Sequence, residues 1–406
     1  MEQSSFVHSV KVPKLYKVAS KTLQSIESHE ESFKGAIFAA KHPNKKALTA
    51  LISTSLQRSE EINYLIKKSK ILEKEQRIES QLPLVKILIT ELLRGKLVDN
   101  QRQAKPILTV LKYKEAMEKA SLKFSRKPSN LEEKDTTIMV EKPRYVRVNT
   151  LKMTVDDAVE HLLNEGWIEK PYDTTGELTV TDFSRDDVVD NLLVFAPKQT
   201  FYKHPLYLNG TFILQDKASC LAAMALKPRT GRCVLDACAA PGMKTTFLSS
   251  LAGTDSRIIA VEKSAKRCNT LKEMLNQYGC EFVEVLNQDF TEVDPLSYED
   301  VEYILVDPSC SGSGMYGRFD VPYQDGSKQD RLHSLSFYQQ KVLCHAMKFP
   351  NVKRIVYSTC SINSEENEDV VSAALSFAEM CVKCDFDNDR TDGFFIAVIE
   401  RIRRGG

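Results

Sequence analysis

Cys310, in Asp307-Pro308-Ser309-Cys310-Ser311-Gly312-Ser313-Gly314, and Cys360, in Tyr357-Ser358-Thr359-Cys360-Ser361, each follow a β-branched, apolar run of the kind that forms a central strand. A thiolate held there can add to carbon 6 of a cytosine, pushing electron density onto carbon 5 and making that carbon a nucleophile toward a methyl donor. Asp307 stands at the same strand end as Cys310; a carboxyl group that is protonated, or shares a proton with the base, can hold ring nitrogen 3 while the adduct forms. A free cysteine is more often a small buried packing residue than a nucleophile. Chemistry is favoured because both thiols fall in Ser-, Thr- and Gly-rich turns at strand ends, where helix-terminal dipoles can lower a thiol pKa. Residue types and spacing leave open which sulfur attacks, and a disulfide between the two is conceivable.

A third strand end, Val234-Leu235-Asp236-Ala237, runs into Cys238-Ala239-Ala240-Pro241-Gly242-Met243-Lys244-Thr245. Pro241-Gly242 lets the backbone turn sharply and approach a ligand without a Cβ in the way, and a helix beginning near Thr245 offers free amide hydrogens to a polar ligand tail. With a single glycine the turn fits neither the three-glycine dinucleotide pattern nor the P-loop, so an NTPase is excluded despite Lys244-Thr245. Glu262 lies about 20 residues past Gly242 at the next strand end, where an acidic side chain can accept from both ribose hydroxyls. Asp289, at the strand end after that, can accept from an adenine amino group, with Phe290 as an apolar wall. Arg267, one turn past Glu262, can approach the same cofactor, although a solvated helix arginine is the commoner case.

These residues need a sheet to bring them together. From about residue 216, strands at Cys233 to Ala237, Arg257 to Val261, Phe282 to Leu286, Tyr303 to Val306 and Arg354 to Tyr357 alternate with helical stretches. That pattern predicts an α/β, doubly wound, mostly parallel sheet with its ligands beyond the carboxyl ends of the strands. Ahead of it, residues 136–215 read as a small α+β unit: a strand over Tyr145 to Thr150, a helix from Val155 to Glu165 capped by Thr154, and short strands at Leu192 to Phe195 and Thr211 to Leu214. Residues 1–135 read as helices, with Ala47-Leu48, Leu51-Ile52 and Leu56 at helical spacing, and with a polar linker at Lys123 to Asn130. The expected division is 1–135, 136–215 and 216–406, the first two docking RNA and the third carrying the chemistry.

Composition sets the remaining bounds. A chain of 406 residues, 42% apolar and 27% charged, can bury more than one core, and no unbroken apolar stretch approaches the roughly 18 residues that span a bilayer. The first residues lack the pattern of a signal peptide, and ten cysteines without a repeated spacing point to a reducing compartment. Cys381-Val382-Lys383-Cys384 is a lone pair of thiols, which is weak ground for a zinc site, so no metal is expected. The net charge of +1 conceals an asymmetry. Residues 1–130 carry about 25 Lys and Arg against about 13 Asp and Glu, a segregated surplus that a phosphate backbone would attract.

Taken together the motifs resemble the Sun-domain RNA (cytosine-5) methyltransferases, over roughly residues 140 to 400. Asp236 to Thr245 is similar to that family's cofactor motif, Asp307 to Gly312 to its proline-cysteine motif, and Thr359-Cys360-Ser361 to its catalytic motif. Where the common form reads Asp-Ala-Pro-Cys-Ser-Gly, this chain has Asp307-Pro308-Ser309-Cys310-Ser311-Gly312, which resembles the fifth Sun-domain subgroup, as do Arg331-Leu332-His333 and Glu365 to Val371. The resemblance implies S-adenosylmethionine as cofactor, large-subunit rRNA or the pre-ribosome as partner, and action in the nucleolus; a monomer is expected. It implies that Cys360 is the nucleophile, that Cys310 assists product release, that Lys244 lies near the target base, and that Asp307 serves both catalysis and cofactor. The cofactor motif so matched implies that Cys238, Ala239, Ala240, Pro241, Gly242, Met243 and Lys244 border the cofactor, beside the Glu262, Arg267 and Asp289 read from their strand ends. The stretch of about 20 residues between Val371 and Gly393 is shorter than the subgroup usually carries. An rRNA-binding assembly factor with little activity is the alternative this leaves.

Overall fold

A computed structural model describes residues 11–28, 33–97, 104–124, 142–171, 178–315, 327–374, 380–384 and 392–400. They fall into two compact units, one within Met1–Thr137 and Phe319–Ser327 and one within Ile138–Arg318 and Lys328–Gly406. The linker residues after Phe124 and the boundary near residue 135 lie outside the described residues.

The first unit is helical: α1 (Lys14–Glu27), α2 (Phe33–Ala39), α3 (Lys45–Gln57), α4 (Ser59–Ser69), α5 (Ile71–Lys74), α6 (Leu82–Leu93), α7 (Lys105–Lys112) and α8 (Lys114–Phe124). In α1 the buried residues are Ala19, Thr22, Leu23 and Ile26, an i, i+3, i+4, i+7 stripe that can face only one side. α6 is apolar nearly all round, burying Leu84, Val85, Ile87, Leu88 and Ile89, and therefore runs through the middle of the unit. Its Pro83 sits in the first turn, where the missing amide costs nothing.

In the second unit, β1 (Arg144–Val148), α9 (Val155–Asn164), β2 (Ile168–Glu169), β3 (Asp182–Arg185), β4 (Leu192–Phe195), α10 (Pro205–Leu208) and β5 (Phe212–Leu214) build a small sheet of order β2-β3-β4-β1-β5. Thr154 caps α9, its Oγ1 accepting from the Asp157 amide at 3.1 Å. Val146, Val148, Phe183, Leu193, Phe195, Phe201 and Phe212 form this layer's own core.

The larger sheet follows: α11 (Lys217–Ala225), β6 (Cys233–Asp236), α12 (Met243–Ala252), β7 (Arg257–Val261), α13 (Ala265–Gln277), β8 (Glu284–Leu286), β9 (Val301–Val306), α14 (Ser327–Ala346), β10 (Arg354–Thr359), α15 (Glu368–Ala374), β11 (Met380–Cys384) and β12 (Phe394–Glu400). Its order is β11-β12-β10-β9-β6-β7-β8, with β6 to β10 parallel and β12 antiparallel to both β10 and β11. The expected doubly wound, mostly parallel sheet is therefore present. β6 and β9 are neighbours although the chain leaves β6 toward β7 on the other side; this reversal opens a crevice at the strands' carboxyl ends. The third predicted strand is shorter than expected, beginning at Glu284, and Phe282 stays 40% exposed before it.

The two layers are pinned by Arg147 of β1, which is fully buried. Its Nε donates to Gln215 Oε1 at 2.6 Å and its Nη2 to Thr246 Oγ1 at 2.8 Å, while the guanidinium lies 4.7 Å from the Phe247 ring of α12. Among the described residues no carboxylate balances it, and burial lowers its pKa to about 10. Asn149 adds a second tie, donating to the carbonyls of Gly210 and Tyr278.

Candidate functional site

The turn after β6 lines a crevice together with Asp236, Cys238, Ala239, Ala240, Pro241, Met243, Lys244 and Asp307. Gly242 ends the turn at φ +115°, a conformation side-chain-bearing residues avoid, and a Cβ there would lie 3.0 Å from Leu271 Cδ1. It serves as the N-cap of α12, so the helix starts at Met243 rather than at Thr245. The turn is braced by Ala237 N–H donating to Leu305 O and Ala239 N–H to Val261 O. Ala239 and Ala240 are buried, while Pro241 is exposed.

Glu262 is buried at the end of β7, its Oε1 accepting from the Ser264 amide at 2.8 Å. Arg267 spans the gap from α13 to the turn, donating to Ala240 O at 2.5 Å and standing 3.5 Å from Glu262. Asp289 accepts from Lys263 at 2.7 Å and from the Thr291 amide and hydroxyl. Burial works to raise its pKa, but Lys263 and Thr291 outweigh it and the carboxyl stays below its ordinary range. Neither Lys263 nor Tyr338 of α14 was anticipated from sequence. The Tyr338 hydroxyl is pushed up by burial, and its ring lies 5.8 Å from the Lys263 ammonium that donates to Asp289.

Asp236, fully enclosed, accepts from Thr245 Oγ1 at 2.7 Å, and burial lifts its pKa from 3.8 to about 6. The sign of the linkage follows. Between those values the folded chain holds a proton that the unfolded chain has released, so stability falls as pH rises through that window. Asp236→Asn keeps an acceptor for Thr245 and removes the buried charge. We expect thermal melts to show the variant more stable than the parent at pH 8, by up to about 3 kcal/mol, by roughly half that at pH 5, and nearly equal to it at about pH 3.

Cys310 and Cys360, 50 residues apart in sequence, come together with their sulfurs 3.0 Å apart, a hydrogen-bonded pair of free thiols rather than a disulfide. The hydrogen bond from Cys360 draws the Cys310 thiol down. The same bond, followed by burial and the negative charge at Cys310 and Asp307, pushes Cys360 up, with Lys244 opposing. The pair thus gives up one proton readily and the second reluctantly. Lys244 donates to Asp307 Oδ2 at 2.7 Å, and Ser358 to Asp307 Oδ1 at 2.8 Å. Burial works against the lysine's charge, but Asp307 outweighs it and holds the ammonium protonated, 5.2 Å from the Phe394 ring.

The Cys310 loop meets its neighbours through Gly314, whose amide donates to Cys360 O at 3.0 Å and whose carbonyl accepts from the Gly393 amide at 2.8 Å. A Cβ on Gly314 would lie 2.1 Å from Gly393 O, so this glycine is required for space. Gly314→Ala should destabilise the fold by about 1–3 kcal/mol in denaturant unfolding. It should also separate the two thiol loops and depress turnover, whereas parent-like stability and turnover would refute the close approach.

Among the described residues no cluster could hold a metal ion, and no helix is long and apolar enough to cross a membrane. Cys381 and Cys384 lie on β11, whose side chains are outside the described set.

Residues 223–400 match the family described as 16S rRNA methyltransferase RsmB/F, and residues 142–215 match NOL1/NOP2/Sun domain family member 5, ferredoxin-like domain. The chain is 36% identical to a 28S rRNA (cytosine-C(5))-methyltransferase of Mus musculus, over 95% of this chain and 91% of the relative. It is equally 36% identical to the Drosophila melanogaster protein of that name, over 98% of each. Among solved structures, that of PH0851 aligns with a TM-score of 0.64 over 97% of this chain and all of its own, at 20% identity, which speaks for the fold alone.

Proposed function

The chain belongs to the Sun-domain family of rRNA (cytosine-C(5))-methyltransferases, and from that premise we propose that it methylates carbon 5 of a cytosine in large-subunit rRNA through a transient bond between Cys360 and carbon 6. The carrying observation is the thiol pair, 3.0 Å apart at the carboxyl end of the parallel sheet and flanked by the Lys244–Asp307 ion pair.

S-adenosylmethionine is the cofactor that the crevice residues fit. Glu262 would take the ribose hydroxyls and Asp289 the adenine amino group. The turn from Cys238 to Met243, with Arg267 behind it, would hold the amino-acid tail against the first amides of α12. The bound cofactor would supply an electrophilic methyl group on a sulfonium.

The chain's own residues do the rest. Lys244 pulls the Cys360 thiol down, against the Cys310 hydrogen bond, burial and the charges at Cys310 and Asp307, which together hold it up until substrate arrives. The thiolate adds to carbon 6 and breaks the 5,6 double bond; electron density moves to carbon 5 and ring nitrogen 3, where the Lys244 ammonium, or a proton that Asp307 shares with the base, can stabilise it. After methylation, Cys310, whose thiol is drawn down, would take the carbon 5 proton as a thiolate; the double bond re-forms, the Cys360 sulfur leaves as a thiolate, and the Cys310 thiol so formed can donate a hydrogen bond to it. The basic helical unit is proposed to dock RNA by its charge surplus, and the nucleolus, where large-subunit rRNA matures, is the proposed site of action.

Methyl-labelled cofactor offered with large-subunit rRNA from cells lacking the protein, and separately with DNA, tests the reading. Label is expected in RNA alone, at a single cytosine that bisulfite sequencing finds unmarked in those cells. Label in DNA, or in neither pool, would overturn it.

A further inference from the structure

Glu366 follows Cys360 by six residues, in the short turn Ser364–Glu366, and is completely buried. Among the described residues no cation pairs with it. Its carboxylate is held by neutral donors: Oε1 accepts from the Ser311 amide at 2.7 Å and from Gln339 Nε2 at 3.0 Å, while Oε2 accepts from the Ser311 hydroxyl at 2.5 Å, Ser361 Oγ at 2.6 Å and Asn363 Nδ2 at 3.3 Å. Burial works to raise its pKa, but these bonds outweigh it and keep the group ionised. A buried charge sustained by hydrogen bonds alone is costly unless every donor is in place, so it fixes whatever carries the donors.

The donors belong to the two thiol loops. Ser311 directly follows Cys310 and Ser361 directly follows Cys360. Gln339 of α14 also donates to Ser309 O at 3.0 Å, so the residues on both sides of Cys310 are held by one cluster. Tyr357, three residues before Cys360, donates to Glu366 O at 2.5 Å.

We propose that Glu366 is a positioning residue whose carboxylate clamps the Cys310 and Cys360 loops together and so sets the distance between their sulfurs. The role in turnover rests on the methyltransferase reading above; the role in sulfur spacing does not.

Glu366→Gln substitutes an amide that donates toward groups that themselves donate, leaving at least two without an acceptor. With full-length protein and large-subunit rRNA we expect kcat to fall about 10- to 100-fold, the scale of a misplacement near 1 Å, with KM for the cofactor within about twofold because Glu366 lies outside the cofactor crevice. A trivalent arsenical, phenylarsine oxide, bridges two thiols only at close spacing and reports that spacing without substrate. Parent protein should bind it tightly, Cys310→Ala should set the background, and Glu366→Gln should bind it at least about tenfold more weakly. Ser361→Ala removes one donor and leaves the charge; it should move both readouts in the same direction by less, and it decides the matter if Glu366→Gln does not fold. Unchanged arsenical binding in the folded variants overturns the clamp, even if melting temperature and turnover drop. Parent protein that methylates no RNA, or Cys360→Ala that still does, would instead remove the functional reading and leave the arsenical comparison standing.

Discussion

Cys360→Ala is expected to reduce methyl transfer by at least about 10⁴-fold, with cofactor binding retained. Carbon 5 of cytosine is not nucleophilic until a group has added at carbon 6, so no positioning by the rest of the site substitutes for the missing sulfur. The cofactor crevice is built from β6, β7, β9 and the turn after β6, and Cys360 contributes no atom to its lining. Calorimetric titration with S-adenosylmethionine should therefore give a dissociation constant within about threefold of the parent's, the margin allowed for a neighbouring pocket left undisturbed. Denaturing gels of the variant with RNA carrying 5-fluorocytosine should show no shifted protein band, whereas the parent should be trapped. Turnover at more than a few per cent of the parent rate, or a trapped band in the variant, would assign the nucleophile elsewhere, with Cys310, 3.0 Å away, as the first candidate.

Much of this site was legible because the chemistry sits where the sheet's pattern changes. The apolar runs ending at Asp236, Val261, Val306 and Thr359 are parallel strands buried on both faces, and such strands need no alternation to be read. Asp307 reaches the crevice beside the turn after β6, while Glu262 and Asp289 stand at the end of β7 and just past β8, the positions from which they are proposed as cofactor residues. What could not be read is how these groups pair. Lys244 and Asp307 are 63 residues apart and meet only because β6 and β9 lie side by side across the switch in strand order. Glu366 carries no local signal of burial: in Ser364-Glu365-Glu366-Asn367 it reads as a solvated turn, and only its distance to Ser311, 55 residues earlier, reveals its partners. Tyr338 escaped notice for the same reason, since α14 is an amphipathic crossover whose register against the crevice is set by tertiary packing. The start of α12 was misplaced by two residues because a glycine at positive φ can cap a helix from inside an apparent turn.

Cys310→Ala is expected to form the covalent protein–RNA adduct and fail to resolve it. The two halves of that outcome have separate physical grounds. Formation should survive because the Cys310 hydrogen bond is the largest reason the Cys360 thiol is held up, ahead of burial, and the Cys310 charge adds to it, so their removal lets the thiol come down while Lys244 still lowers it. Resolution should fail because expelling Cys360 from carbon 6 places negative charge on its half-buried sulfur, and the nearest group able to share a proton with it is the Cys310 thiol. Alanine leaves that leaving group unassisted, while Ser311, Ser361 and Glu366 stay bonded to one another rather than to the sulfur. Incubation with unmodified large-subunit rRNA and cofactor should therefore accumulate a band resistant to denaturant and removed by ribonuclease, at close to one RNA per protein, with multiple-turnover rate lowered on the order of 100-fold. Cys310→Ser should show partial release, since a hydroxyl can donate the hydrogen bond but yields its proton far less readily than a thiol. A Cys310→Ala protein that turns over normally without an adduct would place release on water or on Asp307. One that forms no adduct and transfers no methyl would make Cys310 necessary for the attack itself.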